Sequence, residues 1–312
     1  MRQRARFFVF FLLVAIGAAS QYAQAANLSV NCDRHESISK VLRLLAKTNP
    51  QGPNTITISG NCKGNFVIQS MDRLTLITKT EASITDRSGG SSVVVDIEDS
   101  HSVTVQGFTI NGGAGGLNCG SASVCYFTGN TIQDGTGIGV GVVVGGASRA
   151  FLESNVIQNN GFRGATVREG SQMFSSNDVF KGNADKGVVA AFGAYFEASN
   201  SSFLNNAVGL EAADSHVRLR GGTISGNGDG AIFVGNSSAT FQGPTITANS
   251  GVGVHLDDGS FAVFLGANIT GNLSGLDVDC EPQFSITRLV ETTGGITNCV
   301  ETASKSQLRE LK

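Results

Sequence analysis

The sequence predicts an all-β fold built as a solenoid of strands, and three observations predict it. An apolar residue recurs at Ile110, Ile132, Ile157, Phe180, Phe203, Ile224, Ile246 and Ile269, 21 to 25 residues apart. From Ile157 onward an Asn stands three positions after each of these, at Asn160, Asn183, Asn206, Asn227, Asn249 and Asn272. Each period also holds two short runs in which apolar and polar residues alternate, such as Val217-Arg218-Leu219-Arg220 and Gly230-Ala231-Ile232-Phe233. A repeat of about 22 residues with one fixed turn residue marks a solenoid coil. Alternation at period 2 makes strands with one buried face, and Gly or Asn interrupts each run before a helix could form.

The Asn column has a physical basis. Asn tolerates the left-handed conformation of a tight corner, and its amide bonds to nearby backbone. Corners stacked at about 4.8 Å place Asn over Asn, so their amides are expected to form a ladder.

Taken in order, residues 1–25 read as a secretory signal. Arg2, Arg4 and Arg6 precede an apolar run from Phe7 to Ala19, and Ala23-Gln24-Ala25 is a small-residue cleavage site. The run is shorter than the ~20 residues of a membrane span, so export is expected, with no integral membrane segment after cleavage. Residues 26–54 hold one amphipathic helix. Asp33 is its expected cap and Glu36 the return partner of a capping box, with Ile38, Val41, Leu42 and Leu45 on one face and Asn49-Pro50 at the end. Such a helix covers the first open coil of a solenoid. Residues 55–300 carry the coils, irregular at first and regular from His101 to about Cys280. Residues 301–312 form a charged tail.

Composition agrees. There are 41 Gly but only 4 Pro, which suits many tight corners rather than a linker. Charged residues make up 15% with no like-charge block, so nucleic acid has no electrostatic footprint here. Six Cys in an exported chain imply disulfides, and proximity favours Cys32 with Cys62, Cys119 with Cys125, and Cys280 with Cys299. The expected location is secreted or periplasmic.

The segments Val103-Thr104-Val105-Gln106-Gly107-Phe108-Thr109-Ile110-Asn111-Gly112-Gly113 and Asn155-Val156-Ile157-Gln158-Asn159-Asn160 resemble right-handed parallel β-helix repeat proteins of the pectin-lyase-like superfamily. The resemblance covers roughly residues 50 to 300. It implies a single right-handed parallel β-helix of about ten coils, capped by the N-terminal helix. It does not fix an activity, because that superfamily spans pectate lyases, polygalacturonases, uronan epimerases, phage tailspikes and proteins with no known activity. Of the polygalacturonase motifs only Asp257-Asp258 is matched, while Gly-His-Gly and Arg-Ile-Lys are absent, so no catalytic set is carried over.

Two outward constellations are candidates for function. Tyr126, Phe151 and Phe174 each lie six positions before their coil's apolar anchor, which points them outward and stacks them across consecutive coils, with Glu197 and Arg218 continuing the column. An exposed aromatic column suits the apolar faces of sugar rings. Near the end, counting from Gly253 and Gly275 places His255 beside Asp277 and Asp257 beside Asp279. Those four are the candidate catalytic residues, with Asp257 and Asp279 as candidate ligands of a calcium ion. Like charges on adjacent strands imply a cation, a raised pKa or plain solvation. The expected function is an exported protein that engages polysaccharide on its lateral face. A structural or adhesive surface protein, and a polysaccharide lyase, hydrolase or uronan epimerase, are the alternatives.

Overall fold

The computed structural model describes residues 25–281 and 295–299; the expected signal and the charged tail lie outside the described residues, save Ala25. The chain forms a parallel β-solenoid of about ten turns with one short helix. Eighteen strands make one sheet and ten make the other. A typical coil runs through a five-residue strand (Arg149–Glu153), a two-residue corner, a three-residue strand (Val156–Gln158) and a looser turn to the opposite sheet (Ala165–Val167). Every named strand pairs in parallel with its counterpart one coil away, for example Ile132 with Ile157 and Ile157 with Phe180.

The apolar anchors all point inward and are buried, from Ile110 to Ile269. They stack in columns, as Phe180 on Phe203 with centroids 5.3 Å apart. The three disulfides join the expected pairs, Cys32–Cys62, Cys119–Cys125 and Cys280–Cys299. Cys119 and Cys125 lie fully inside the coil and tie its two sheets together.

The Asn ladder is present and buried. Each Asn Nδ2 donates to the Oδ1 of the Asn one coil later, from Asn160 to Asn183 at 2.9 Å through Asn249 to Asn272 at 2.8 Å. The same Oδ1 accepts the earlier Asn's backbone N–H, as Asn206 Oδ1 accepts from Asn183 N at 3.0 Å. The reason for Asn differs from the expected one. The left-handed residue is the one before, at Asn159, Gly182, Asn205, Gly226, Ala248 and Gly271, and the ladder Asn serves by its amide alone.

A second buried ladder went unread in the sequence. Asn130 donates to Asn155 at 3.0 Å, and Asn155 to Asp178 at 2.8 Å. Serines continue this row or its neighbour at other corners, among them Ser201, Ser215, Ser237 and Ser260. Burial pushes the Asp178 carboxyl up to about 6, against the lowering effect of hydrogen bonds from Ser175, Asn155 and Ser176.

Two expected placements need correction. The helix runs Ile38–Thr48 and is capped by Ser37, whose Oγ accepts from Lys40 N, so Asp33 is not its cap. Asp33 instead accepts from Asn61 N at 2.9 Å, and Glu36 from Asn31 N at 2.6 Å. Ile38, Leu42 and Leu45 are the buried face, with Val41 packed partly against the core. The second correction concerns the last coil. Gly141, Gly164, Gly187, Gly209, Gly230 and Gly253 form a column in which a Cβ would press on the next coil's carbonyl, at 2.6 Å for Gly141 and 2.5 Å for Gly164. The next member of that column is Asp277, not Gly275, since Val254 pairs with Val278. Gly275 lies two residues ahead in the turn, and counting from it shifts every later residue by one outward position.

Candidate functional site

The aromatic column is built as its spacing predicts. Tyr126, Phe151 and Phe174 are register partners on three consecutive strands of the larger sheet, between inward-facing Cys125 and Phe127, Ala150 and Leu152, and Met173 and Ser175. Their rings stack with centroids 5.1 and 5.2 Å apart and planes within 11° and 13° of parallel. Tyr126 is 38% exposed, and the other two are half-buried by their neighbours. Glu197 and Arg218 continue the row, as register partners of Phe174 and of each other.

The structure adds Tyr195, which the sequence reading did not single out. It sits two residues before Glu197 and leans over Phe174 at 5.8 Å and 51°. Its hydroxyl donates to Glu197 Oε2 at 2.6 Å, and Arg220 Nε reaches Glu197 Oε1 at 2.9 Å. Burial, then the Glu197 carboxylate, hold the phenol above its usual range. Beside them Arg218 donates from Nη2 to Gln242 at 3.2 Å, while its buried Nε has no hydrogen-bond partner among the described residues. Tyr195 lies eight positions before its anchor Phe203, the register of Arg149 and Gln172, and that outward place was its only sequence signal.

Shallow hollows flank the column on both sides of Phe151. One, of about 310 Å³, lies toward the strand N-termini among Tyr126, Phe151, Arg149 and Gln172. Arg149 Nε donates to Gln172 Oε1 at 2.9 Å there. The other, of about 370 Å³, lies toward the C-termini among Phe151, Phe174, Glu153, Glu197, Ser176 and Ser199.

The acidic end is not assembled as expected. His255 pairs with Asp279, its Nδ1 3.0 Å from Oδ2, and Asn298 donates to the other oxygen of Asp279 at 2.7 Å. Asp277 is only 6% exposed and turns inward. Its Oδ1 accepts from Asn272 Nδ2 at 2.8 Å and Asn272 N at 3.1 Å, and its Oδ2 from Ile296 N at 3.0 Å. Asp277 therefore ends the Asn ladder and does not face His255. Asp257 lies beside Glu281 instead: their hydrogen bond lowers the Asp257 carboxyl and raises that of Glu281. The donors do not fit calcium, which takes six to eight oxygens. Of the two expected ligands, Asp257 bonds Glu281, and Asp279 bonds His255 and Asn298. Among the described residues, no group of three or more His, Cys, Asp or Glu side chains is arranged to hold a metal ion. At the other end, Asp96 and Glu98 share the Asn118 amide at 2.7 and 2.8 Å, and burial followed by Glu98 raises Asp96.

Among the described residues no helix is long and apolar enough to cross a membrane. The family described as "Right handed beta helix region" matches residues 115–274. The chain is similar to the A-module of the Azotobacter vinelandii mannuronan C-5 epimerase AlgE4, with TM-score 0.60 and 14% identity over 91% of this chain and 97% of that one. It is similar to the periplasmic alginate epimerase AlgG, with TM-score 0.61 and 12% identity over 86% and 83%. It is also similar to pectate lyase Pel9A, with TM-score 0.55 and 10% identity over 92% and 85%. At these identities the likeness is one of fold. No curated protein matches the chain.

Proposed function

This chain belongs to the right-handed β-helix family, and on that premise we propose that it is an exported protein that binds polysaccharide on the aromatic column of its lateral face. The observation that carries this reading is the stack of Tyr126, Phe151 and Phe174, partly open to solvent and bordered by hollows whose walls mix apolar and polar side chains. Aromatic rims and faces offer apolar contact to sugar C–H groups, and the flanking Arg149, Gln172, Glu153 and Glu197 offer partners for hydroxyls. Three disulfides support an oxidising, extracytoplasmic location. The names of the solved neighbours, for mannuronan, alginate and pectate, support a polysaccharide as the class of partner.

The test is affinity electrophoresis through gels that contain each of a panel of acidic and neutral polysaccharides. Retardation in at least one gel is expected, and its loss in the triple variant Tyr126→Ser, Phe151→Ser, Phe174→Ser with circular dichroism unchanged. Assaying the same mixtures for reducing ends and unsaturated uronate separates binding from cleavage. Equal mobility in every gel would leave the rigid structural or adhesive role in its place.

A further inference from the structure

The same column also carries an inference about how the glycan lies, resting on the polysaccharide reading above. The three rings are nearly parallel and stacked along the solenoid axis, so each spends much of its face on the next ring. A glycan laid along the axis would meet a succession of ring rims. It would also leave the aromatic row within one coil in either direction, onto Thr104 before Tyr126 and Glu197 after Phe174. The hollows lie the other way. Both are lined by Phe151, and they open on its opposite sides along the strand direction.

Those two hollows differ in charge. The one at the strand N-termini holds Arg149, and no acid lines it. The one at the C-termini is lined by Glu153 and Glu197 and by no base, although Arg220, outside the lining, pairs with Glu197 at 2.9 Å. Arg149 and Glu153 are the two ends of a single strand, with Phe151 midway. Four residue steps at ~3.3 Å make a path of ~13 Å, about two to three pyranose rings.

We propose that the glycan crosses the column over Phe151, parallel to the strands, with an acidic sugar at Arg149 and hydroxyl donors at Glu153 and Glu197. The site is then short and polar in direction: it recognises a segment of two or three rings, and a reversed segment would set its acid against Glu153. A guanidinium forms charge-assisted hydrogen bonds with a carboxylate or a sulfate alike, so the shared chemistry is an anionic sugar substituent.

The experiment is calorimetric titration with oligosaccharides of two to eight units, in carboxylated, sulfated and neutral arms, on the wild-type protein and four variants. Arg149→Gln is expected to weaken acidic oligosaccharides about tenfold and neutral ones little, and the arm that shows this loss names the substituent. Glu153→Gln is expected to weaken all arms severalfold. Thr104→Lys and Thr240→Lys, at the outward register positions one coil before Tyr126 and one coil beyond Arg218, place long side chains on the axial path and are expected to change nothing, and affinity is expected to level off at three rings. The crossing is overturned if Thr104→Lys or Thr240→Lys blocks binding, if Arg149→Gln and Glu153→Gln leave it intact, or if affinity climbs steadily to eight rings. Each of those leaves the aromatic site standing. Failure of every oligosaccharide and polymer to bind, or full binding by the triple aromatic variant, instead removes the polysaccharide reading and the crossing with it.

Discussion

Asp178 makes stability depend on pH in a direction opposite to that of most carboxylates. It is buried at a corner, where Oδ1 accepts from Asn155 N at 2.7 Å and Asn155 Nδ2 at 2.8 Å, and Oδ2 accepts from Ser175 Oγ at 2.7 Å and Ser176 N at 3.1 Å. Burial outweighs these four donors and raises the carboxyl from 3.8 to about 6. The folded state therefore holds this proton more tightly than the unfolded state. Its contribution is fully present below pH 3.8, is lost as pH rises through 6, and is constant above that. Two pKa units correspond to about 3 kcal/mol. Asp178→Asn removes the titration and keeps the two bonds to Oδ1, but turns an NH₂ toward Ser176 N–H at a cost of about 1–2 kcal/mol. The variant is thus expected to be about 1–2 kcal/mol more stable than wild type at pH 7.5 and less stable at pH 4. Urea unfolding of both proteins from pH 3.5 to 8 gives a difference curve in which other carboxylates cancel. A difference that stays level between pH 4 and 6, or moves the other way, refutes the reasoning.

Four further outcomes follow from the packing. Asn206→Ala strips Asn183 N–H and Phe180 C=O of their partners inside the solenoid and should cost about 3 kcal/mol or more in urea unfolding, and a loss under 1 kcal/mol would mean that the ladder contributes little. Gly209→Ala drives a Cβ to 2.6 Å from Gly230 O, so the melting temperature should fall by several degrees, and an unchanged value would show that coils separate freely there. Cys119 and Cys125 should resist a thiol reagent in the native, non-reduced protein, and labelling of either one refutes the buried bridge. The triple aromatic variant breaks two stacked pairs and the tilted Phe174–Tyr195 pair, worth about 0.5–1.5 kcal/mol each, and should unfold at lower urea, whereas Tyr126→Ser breaks one pair and should cost about a third as much.

What could be read in the chain was whatever each coil repeats. The anchors Ile110 to Ile269 and the ladder Asn residues recur because every coil meets the same neighbours above and below, so one environment selects one residue type many times. The aromatic column was legible for the same reason: a fixed offset from a known inward residue settles which way Tyr126, Phe151 and Phe174 point. Tyr195 stands at an equally well-defined outward position. Solvent imposes no common choice there, however, so nothing in its own residue type marks it. The second ladder was hidden because its corners accept Asn, Asp or Ser, any of which can offer an oxygen to the N–H of the coil before. Asp277 was misread where the repeat breaks. The Ile296 segment stacks beyond it, its carbonyl accepting from Asp277 N at 2.8 Å, yet the position holds Asp because its carboxylate closes the ladder, and Gly275 in the adjoining turn imitates the missing glycine.

The amide ladder has a direction. Gly135 N–H feeds Asn160 Oδ1, each Nδ2 passes toward the next coil, and the last one ends on the Asp277 carboxylate. Every interior coil thus brings one acceptor and one donor, and can be copied or deleted as a unit without leaving a bond open. The two ends are not interchangeable: one supplies a backbone N–H and the other an anion. A chain of this kind lengthens by duplicating a coil between fixed terminators, so the number of coils is free to drift while the sequences that begin and end the row are held.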